Sequence, residues 1–277
     1  MQEDEPFVRE IYRLILQREV DAEALERNLR NLAIGTSSRC DIAAITADSI
    51  EARLKLSPIV ALHFGRKKLV AQLPVARAIL DLGGGGEQAL SHLFHMGYPY
   101  VPEVHTIVDI CATPKRRTNP DDEDSPLERW KAAVETYRVP MWDLAGLPGG
   151  FYDLAWAGES IEHVSEEQAR ILFKEVRRLL KQGARFCFDT PNRLVTSIHC
   201  PERLINPDHK VEYTPDRLRE LLVEAGFRIE KTIGLCPMPK TVRSGRLDEE
   251  EMRLNSLFLE PENVDLCYII YVEAVKK

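Results

Sequence analysis

The chain has 277 residues, 44% hydrophobic and 29% charged, with a net charge of -7. That suffices for one full-sized α/β domain plus a small appendage, and the acidic balance disfavours long RNA or DNA, whose binding footprint is normally basic. The six scattered cysteines form no C-x-x-C pair, the chain starts on the acidic Met1-Gln2-Glu3-Asp4-Glu5, and no apolar run approaches the ~20 residues of a membrane span. The expectation is a cytoplasmic protein with reduced thiols, no signal peptide and no membrane span.

Residues 5–56 carry helical periodicity. Phe7, Ile11, Leu14 and Ile15 form one inward stripe, and Asp21 is the expected N-cap of a second helix through Leu25, Leu29 and Leu32, ending near Gly35. Ser37 or Ser38 caps a third helix with Ile42 and Ile45 inward, and a short fourth piece starts at Ser49 and stops at Pro58.

From about residue 59 strand and helix alternate. Ala78-Ile79-Leu80-Asp81-Leu82 reads as a buried strand, followed by glycines and a helix from Glu87 to about Met96. Residues 104–109 form a second strand ending in Asp109, and the charged, proline-bearing stretch 114–126 reads as a mobile surface loop. A third strand is expected over 137–142, where Pro140 weakens the pattern, and a fourth over 152–157. Ser165-Glu166-Glu167-Gln168 is a capping box. It opens a helix with Leu172, Phe173, Val176, Leu179 and Leu180 inward that closes at Gly183. A fifth strand over 185–189, a helix from Thr214-Pro215 to Ala225-Gly226, and strands near 227–232 and 266–274 complete the order. Such alternation implies a mostly parallel sheet covered on both faces. Two domains are expected, residues 1–56 and 57–277.

Asp81-Leu82-Gly83-Gly84-Gly85-Gly86 follows a strand and opens a helix, so glycines would let a ligand approach the carboxyl edge of the sheet. A dinucleotide fingerprint wants a third glycine at position 88, which is Gln88. The strand-end carboxylate of Asp81 would repel phosphates and attract the ammonium and sulfonium charges of S-adenosylmethionine. Farther on, Glu159, Glu162 and His163 stand at i, i+3 and i+4, where one helical turn would gather them on one side. With a further ligand-type residue from a distant loop they could hold a divalent cation with positions open for substrate. The other readings of the group are a metal-free pair with His163 as general base, and a polar first turn of a surface helix.

The run from Ile79 to Gly86 resembles the first motif of class I S-adenosylmethionine-dependent methyltransferases, and the resemblance extends in order over about 70–275. It implies a Rossmann-like seven-stranded mostly parallel sheet. It also implies that Asp81, Gly83 and Gly85 meet the cofactor, that Asp109 takes both ribose hydroxyls, and that Asp143, beside Trp142, takes the adenine amino group. Glu87 stands where the family has a third glycine, and 98–103 forms an insertion before the second strand. Within that superfamily Glu159, Glu162 and His163 resemble the ligand set of ubiquinone-biosynthesis O-methyltransferases. With His209, in Asp208-His209-Lys210-Val211-Glu212-Tyr213, they resemble the metal site of small-RNA 3'-end 2'-O-methyltransferases and of glycan-modifying methyltransferases. The resemblance implies a cation (Mg, Mn, Fe, Co or Zn) on Glu159, Glu162, His163 and His209, with Glu162, His163 and His209 catalytic. Tyr213, Arg193 and residues 203–206 are candidate acceptor-pocket residues. Residues 7–37 are similar to a small helical domain appended to bacterial surface-glycan enzymes and secreted proteins. Its expected role is docking to glycan-synthesis proteins or ordering a homodimer.

These readings converge on O-methylation of a hydroxyl, with a sugar of a surface glycan or secondary metabolite as small-molecule or glycan acceptor. The rivals are an RNA 2'-O-methyltransferase, which the acidic charge disfavours, and a non-catalytic cofactor-binding component of a glycan assembly complex.

Overall fold

The computed structural model describes residues 4–49, 51–52, 58–85, 92–110 and 133–277. Gly86, Glu87 and the start of the helix expected there, Cys111, the 114–126 loop and the expected boundary at 56/57 lie outside the described residues.

The N-terminal helices are α1 (Asp4–Leu16), α2 (Ala22–Ala33) and α3 (Arg39–Ala47). Asp21 caps α2 by accepting the Ala24 N–H at 2.8 Å, and Ser38 forms a reciprocal capping box with Asp41. Val8, Tyr12, Ile15 and Leu16 are buried together, with Leu25, Leu29 and Leu32 packed at their edge. Leu14 and Ile45, expected inward, are instead 64% and 67% exposed. Three short helices can cover only one narrow stripe of each other, and both residues stand beside that stripe.

Pro58 begins a helix, and the end of the short piece expected from Ser49 lies outside the described residues. Helix α4 (Pro58–Val70) places the proline in its first turn, where a missing N–H costs nothing. Gly65 makes α4 possible in this position, because a Cβ there would lie 2.3 Å from the Ser256 carbonyl oxygen and 2.7 Å from Leu235.

Among the described residues the sheet has eight strands in the order β3-β2-β1-β4-β5-β8-β6-β7. They are β1 (Ala78–Leu82), β2 (Val104–Val108), β3 (Val134–Tyr137), β4 (Tyr152–Gly158), β5 (Leu180–Pro191), β6 (Phe227–Pro237), β7 (Leu259–Glu260) and β8 (Cys267–Lys276). The five strands β3-β2-β1-β4-β5 run parallel, whereas β8 joins β5, β6 joins β8 and β7 joins β6 antiparallel. The expected seven-stranded, mostly parallel sheet is therefore a mixed one, extended by the two-residue edge strand β7. β3 also ends three residues before Pro140, which has no N–H for the ladder and falls in a turn.

β1 is buried along its whole length, which its apolar run, interrupted only by Asp81, anticipated. Helices α6 (Glu166–Leu179) and α8 (Pro215–Glu224) cover one face, where Leu172, Phe173, Val176 and Leu179 meet Phe186 and Phe188. On the other face Leu69 and Val70 of α4 pack with Ile79, Trp156 and the short helix α5 (His92–His95), which carries Leu93. Helix α6 stops at Leu179 rather than Gly183. Leu180 already pairs with Tyr152, and Gly183 lies within β5 at φ +77°. Near the carboxyl ends of β5 and β6 sit α7 (Arg193–His199), α9 (Pro239–Ser244) and α10 (Glu249–Asn255). No helix among the described residues is long and apolar enough to cross a membrane.

Candidate active site

The glycine loop after β1 is shaped by contact. Gly83 has φ +75°, a region that favours glycine, and a Cβ on it would strike the Ser160 side chain at 2.6 Å. A Cβ on Gly84 would fall 2.5 Å from the Asp81 carboxylate. Asp81 is fully buried. Its Oδ2 lies 3.3 Å from His105 Nε2, and its Oδ1 has no hydrogen-bond partner among the described residues. Asp109 accepts the Gly85 N–H at 3.2 Å, so Asp81, Gly83, Gly85 and Asp109, expected at a cofactor site, converge at the carboxyl ends of β1 and β2. An unpaired buried carboxylate oxygen beside a loop without side chains fits the cationic methionine end of S-adenosylmethionine. Trp142 packs partly buried against the main core, and Asp143 is exposed in the turn that follows β3. His105 gave no signal in the sequence, because a lone histidine in a strand reads as ordinary core.

The carboxyl end of β4 carries the second group. The expected helical turn over Glu159 to His163 is absent. Glu159 has φ +48°, and a single turn of 3-10 helix spans Ile161–His163. The left-handed residue is held by its own N–H, which donates to Asp189 Oδ1 at 2.9 Å and to the Asp189 carbonyl at 3.0 Å. Ser160 Oγ then donates to the Leu82 carbonyl at 3.0 Å, tying this turn to the glycine loop.

Glu162 is fully buried. Thr190 donates to its Oε2 at 2.8 Å, while its Oε1 has no partner among the described residues. Burial, and then the nearby charge of Glu159, push its pKa well above the ordinary carboxylate value. The Glu162 carbonyl accepts the Lys210 N–H at 2.7 Å, which brings the distant loop alongside. The His209 ring meets the His163 ring edge-on at 4.9 Å. One ligand atom from each of Glu162, His163 and His209 lies within 4.8 Å of the others. Glu159 stands outside that group, and its carboxylate turns toward Arg66.

Two further residues hold the cluster in place. His209 Nδ1 lies 3.0 Å from Glu212 Oε1. Burial raises the Glu212 carboxyl, but hydrogen bonds from His209, Thr196 and Ile205 outweigh it and hold the group at about 2. Glu212 is therefore a carboxylate at neutral pH and offers an acceptor to the facing His209 Nδ1. The pKa of His163 is lowered, chiefly by burial and then by His209, which favours its neutral imidazole. Two imidazoles and a carboxylate whose Oε1 has no partner among the described residues fit a divalent cation. Arg66, from α4, is the other residue. Its Nε and Nη2 bond Asp189 at 2.6 and 3.0 Å, and both side chains are buried. Glu212 was within reach of sequence reasoning, three residues after His209. Arg66, in the run Gly65-Arg66-Lys67-Lys68, reads as solvated.

A cleft of about 740 Å³ opens over this site, lined among others by Leu62, Arg66, Glu159, His209, Met252 and Tyr268. Arg203, Ile205 and Asn206 line it as expected. Tyr213 and Arg193 do not. Tyr213 is 1% exposed, its backbone bridged to Asn192, and Arg193 is drawn to Glu212 at 3.4 Å.

The methyltransferase-domain family model matches residues 59–232. The chain belongs to that family and has the class I S-adenosylmethionine-dependent methyltransferase fold. It is 37% identical over 91 residues to a Mycolicibacterium smegmatis protein named a probable S-adenosylmethionine-dependent methyltransferase. That match covers 32% of this chain and 34% of the relative, so the chain spans about a third of that protein. An S-adenosylmethionine-dependent methyltransferase of Thermotoga maritima, described as a possible histamine N-methyltransferase, superposes with a TM-score of 0.50. It is 14% identical over 79% of this chain and 93% of its own. A chain from the Haloferax volcanii complex of the Trm112 methyltransferase activator with a methyltransferase gives 0.51, at 15% identity over 79% and 91%. At these identities the two structures speak for the fold alone.

Proposed function

We propose that this protein transfers the methyl group of S-adenosylmethionine to a hydroxyl of a sugar-like acceptor, with a divalent cation on Glu162, His163 and His209. The observation that carries the reading is the convergence of those three side chains, of which His209 also lines the cleft, on the same sheet edge as Asp81, Gly83, Gly85 and Asp109. The hydrogen bond from Ser160 to Leu82 joins the two halves of the site.

Transfer forms one C–O bond, breaks the sulfonium C–S bond and releases the hydroxyl proton. The sulfonium is already activated, so the enzyme's task is to position the acceptor and make it nucleophilic. A cation bound at the triad supplies Lewis acidity that lowers the pKa of a hydroxyl far too weakly acidic to ionise alone. Glu212 orients the His209 ring, Thr190 orients Glu162, and Leu62, Met252 and Tyr268 line the cleft with apolar surface. Asp109 would take the ribose hydroxyls and Asp143 the adenine amino group. The N-terminal helices contribute no residue to the site, and docking to glycan-synthesis proteins or dimer formation is their proposed role.

Removal of metal tests the reading. Chelation is expected to abolish methyl transfer to sugar acceptors while leaving S-adenosylmethionine binding, followed by calorimetry, nearly unchanged. A stripped enzyme that turns over normally, with a rate that falls only at pH below the ordinary histidine value, would instead make His163 a metal-free base.

A further inference from the structure

We propose that His105 is a positioning residue for the cofactor. It holds the Asp81 carboxylate by one oxygen, so that the other is left to take the ammonium group of S-adenosylmethionine. The inference rests on the reading that Asp81 meets the methionine end of that cofactor.

Three observations carry it. The first is placement. β1 and β2 pair in parallel with Ile79 opposite His105, so Asp81 lies two residues farther along the same face. Both side chains are fully buried, and His105 Nε2 lies 3.3 Å from Asp81 Oδ2. The second is the division of the carboxylate. Oδ2 faces His105 and also accepts the Leu93 N–H at 3.4 Å, whereas Oδ1 has no partner among the described residues. A buried carboxylate oxygen is costly to leave without a donor, and both donors here are spent on its twin. The third is direction. A Cβ built on Gly84 would lie 2.5 Å from Oδ1, so the open oxygen stands directly against the glycine loop. The next residue, Gly85, gives its N–H to Asp109.

An ionised carboxylate only accepts hydrogen bonds, so the bond between this pair takes its proton from Nε2. Held by His105 and Leu93 together, the carboxylate cannot turn without giving up two bonds. An ammonium group then meets an oxygen whose direction is already set, and little ordering remains to be lost on binding. With an apolar side chain at position 105, Oδ2 would keep only the long contact to Leu93, and Oδ1 would be free to swing from the loop. His105 thus acts on the cofactor through Asp81 alone.

Calorimetric titration of the full chain with two ligands tests this. One is S-adenosylhomocysteine, and the other is 5'-methylthioadenosine, which keeps the adenosine and the thioether but has no ammonium. His105→Leu is expected to weaken S-adenosylhomocysteine about 10–100-fold, the worth of one hydrogen bond to a charged group. Its affinity for 5'-methylthioadenosine should change by less than about threefold. His105→Gln, which returns an N–H near the Nε2 position, should recover most of the loss. In an Asp81→Asn background His105→Leu should add less than about threefold, since no carboxylate remains to be oriented. Should His105→Leu fail to fold, His105→Asn, whose amide stops short of Oδ2, carries the same expectations. Unchanged S-adenosylhomocysteine affinity, equal losses for the two ligands, or additive losses in the double variant would each overturn the proposal and leave His105 a packing residue. A wild type that binds both ligands equally would overturn Asp81 as the ammonium partner, and one that binds neither would overturn the cofactor reading itself.

Discussion

Glu212→Gln isolates a single buried charge. The carboxylate accepts the Ile205 N–H at 2.6 Å and faces His209 Nδ1 at 3.0 Å, the Thr196 hydroxyl, and Arg193 at 3.4 Å. Its pKa is depressed from 4.5 to about 2. A depressed carboxyl contributes stability that is fully present above its unfolded pKa and is lost as pH falls toward the folded one. The drop corresponds to about 3 kcal/mol at pH 7, of which about 1 kcal/mol remains at pH 3. A carboxamide of the same shape keeps an acceptor for the N–H donors and loses the charge. Urea unfolding of wild type and variant at pH 7, 5, 4 and 3 is the assay. The variant is expected to be less stable by up to about 3 kcal/mol at pH 7, and the gap should narrow to about 1 kcal/mol at pH 3. Mn2+ affinity should also fall about 10–100-fold, because His209 loses the charged partner that orients its ring. Two unfolding profiles that run parallel across this range would refute the reasoning.

Gly65→Ala should destabilise by about 1–3 kcal/mol, since its Cβ would meet the Ser256 carbonyl at 2.3 Å; an unchanged urea midpoint would show that α4 can move away freely. Arg66→Leu leaves the fully buried Asp189 without its ion-pair partner and is expected to cost about 3–5 kcal/mol, with much of the loss recovered in the Arg66→Leu, Asp189→Leu pair. Urea unfolding of the three proteins checks it, and additive losses in the double variant would contradict it. S-adenosylmethionine should raise the melting temperature, by about 2.7 kcal/mol of stabilisation at a hundredfold excess over Kd, and NAD should not. Asp109→Ala should weaken that shift, and equal stabilisation by NAD would refute the cofactor assignment.

The parallel part of the sheet and its glycine loop are legible in the sequence for local reasons. A strand buried on both faces is mostly apolar, as Ala78–Leu82 is apart from Asp81, and a turn at φ +75° against a neighbouring side chain favours glycine, as at Gly83. Caps are equally local, and Asp21, Ser38, Ser165 and Thr214 all bond the backbone three residues on. The ligand-type residues Glu162, His163 and His209 also stand out, since a carboxylate and two imidazoles carry their chemistry in their names.

Tertiary structure decided which of those residues meet, and what holds them. Spacing placed Glu159 with Glu162 and His163, but a left-handed backbone after β4 breaks the helical phase and turns Glu159 to Arg66. Arg66 reaches Asp189 across 123 residues of sequence, and no periodicity within a helix encodes such a partner. The antiparallel half of the sheet and the Leu14 and Ile45 faces were hidden for the same reason. Periodicity reports that a side chain is apolar and which neighbours share its face, whereas its burial depends on what the rest of the chain brings against it.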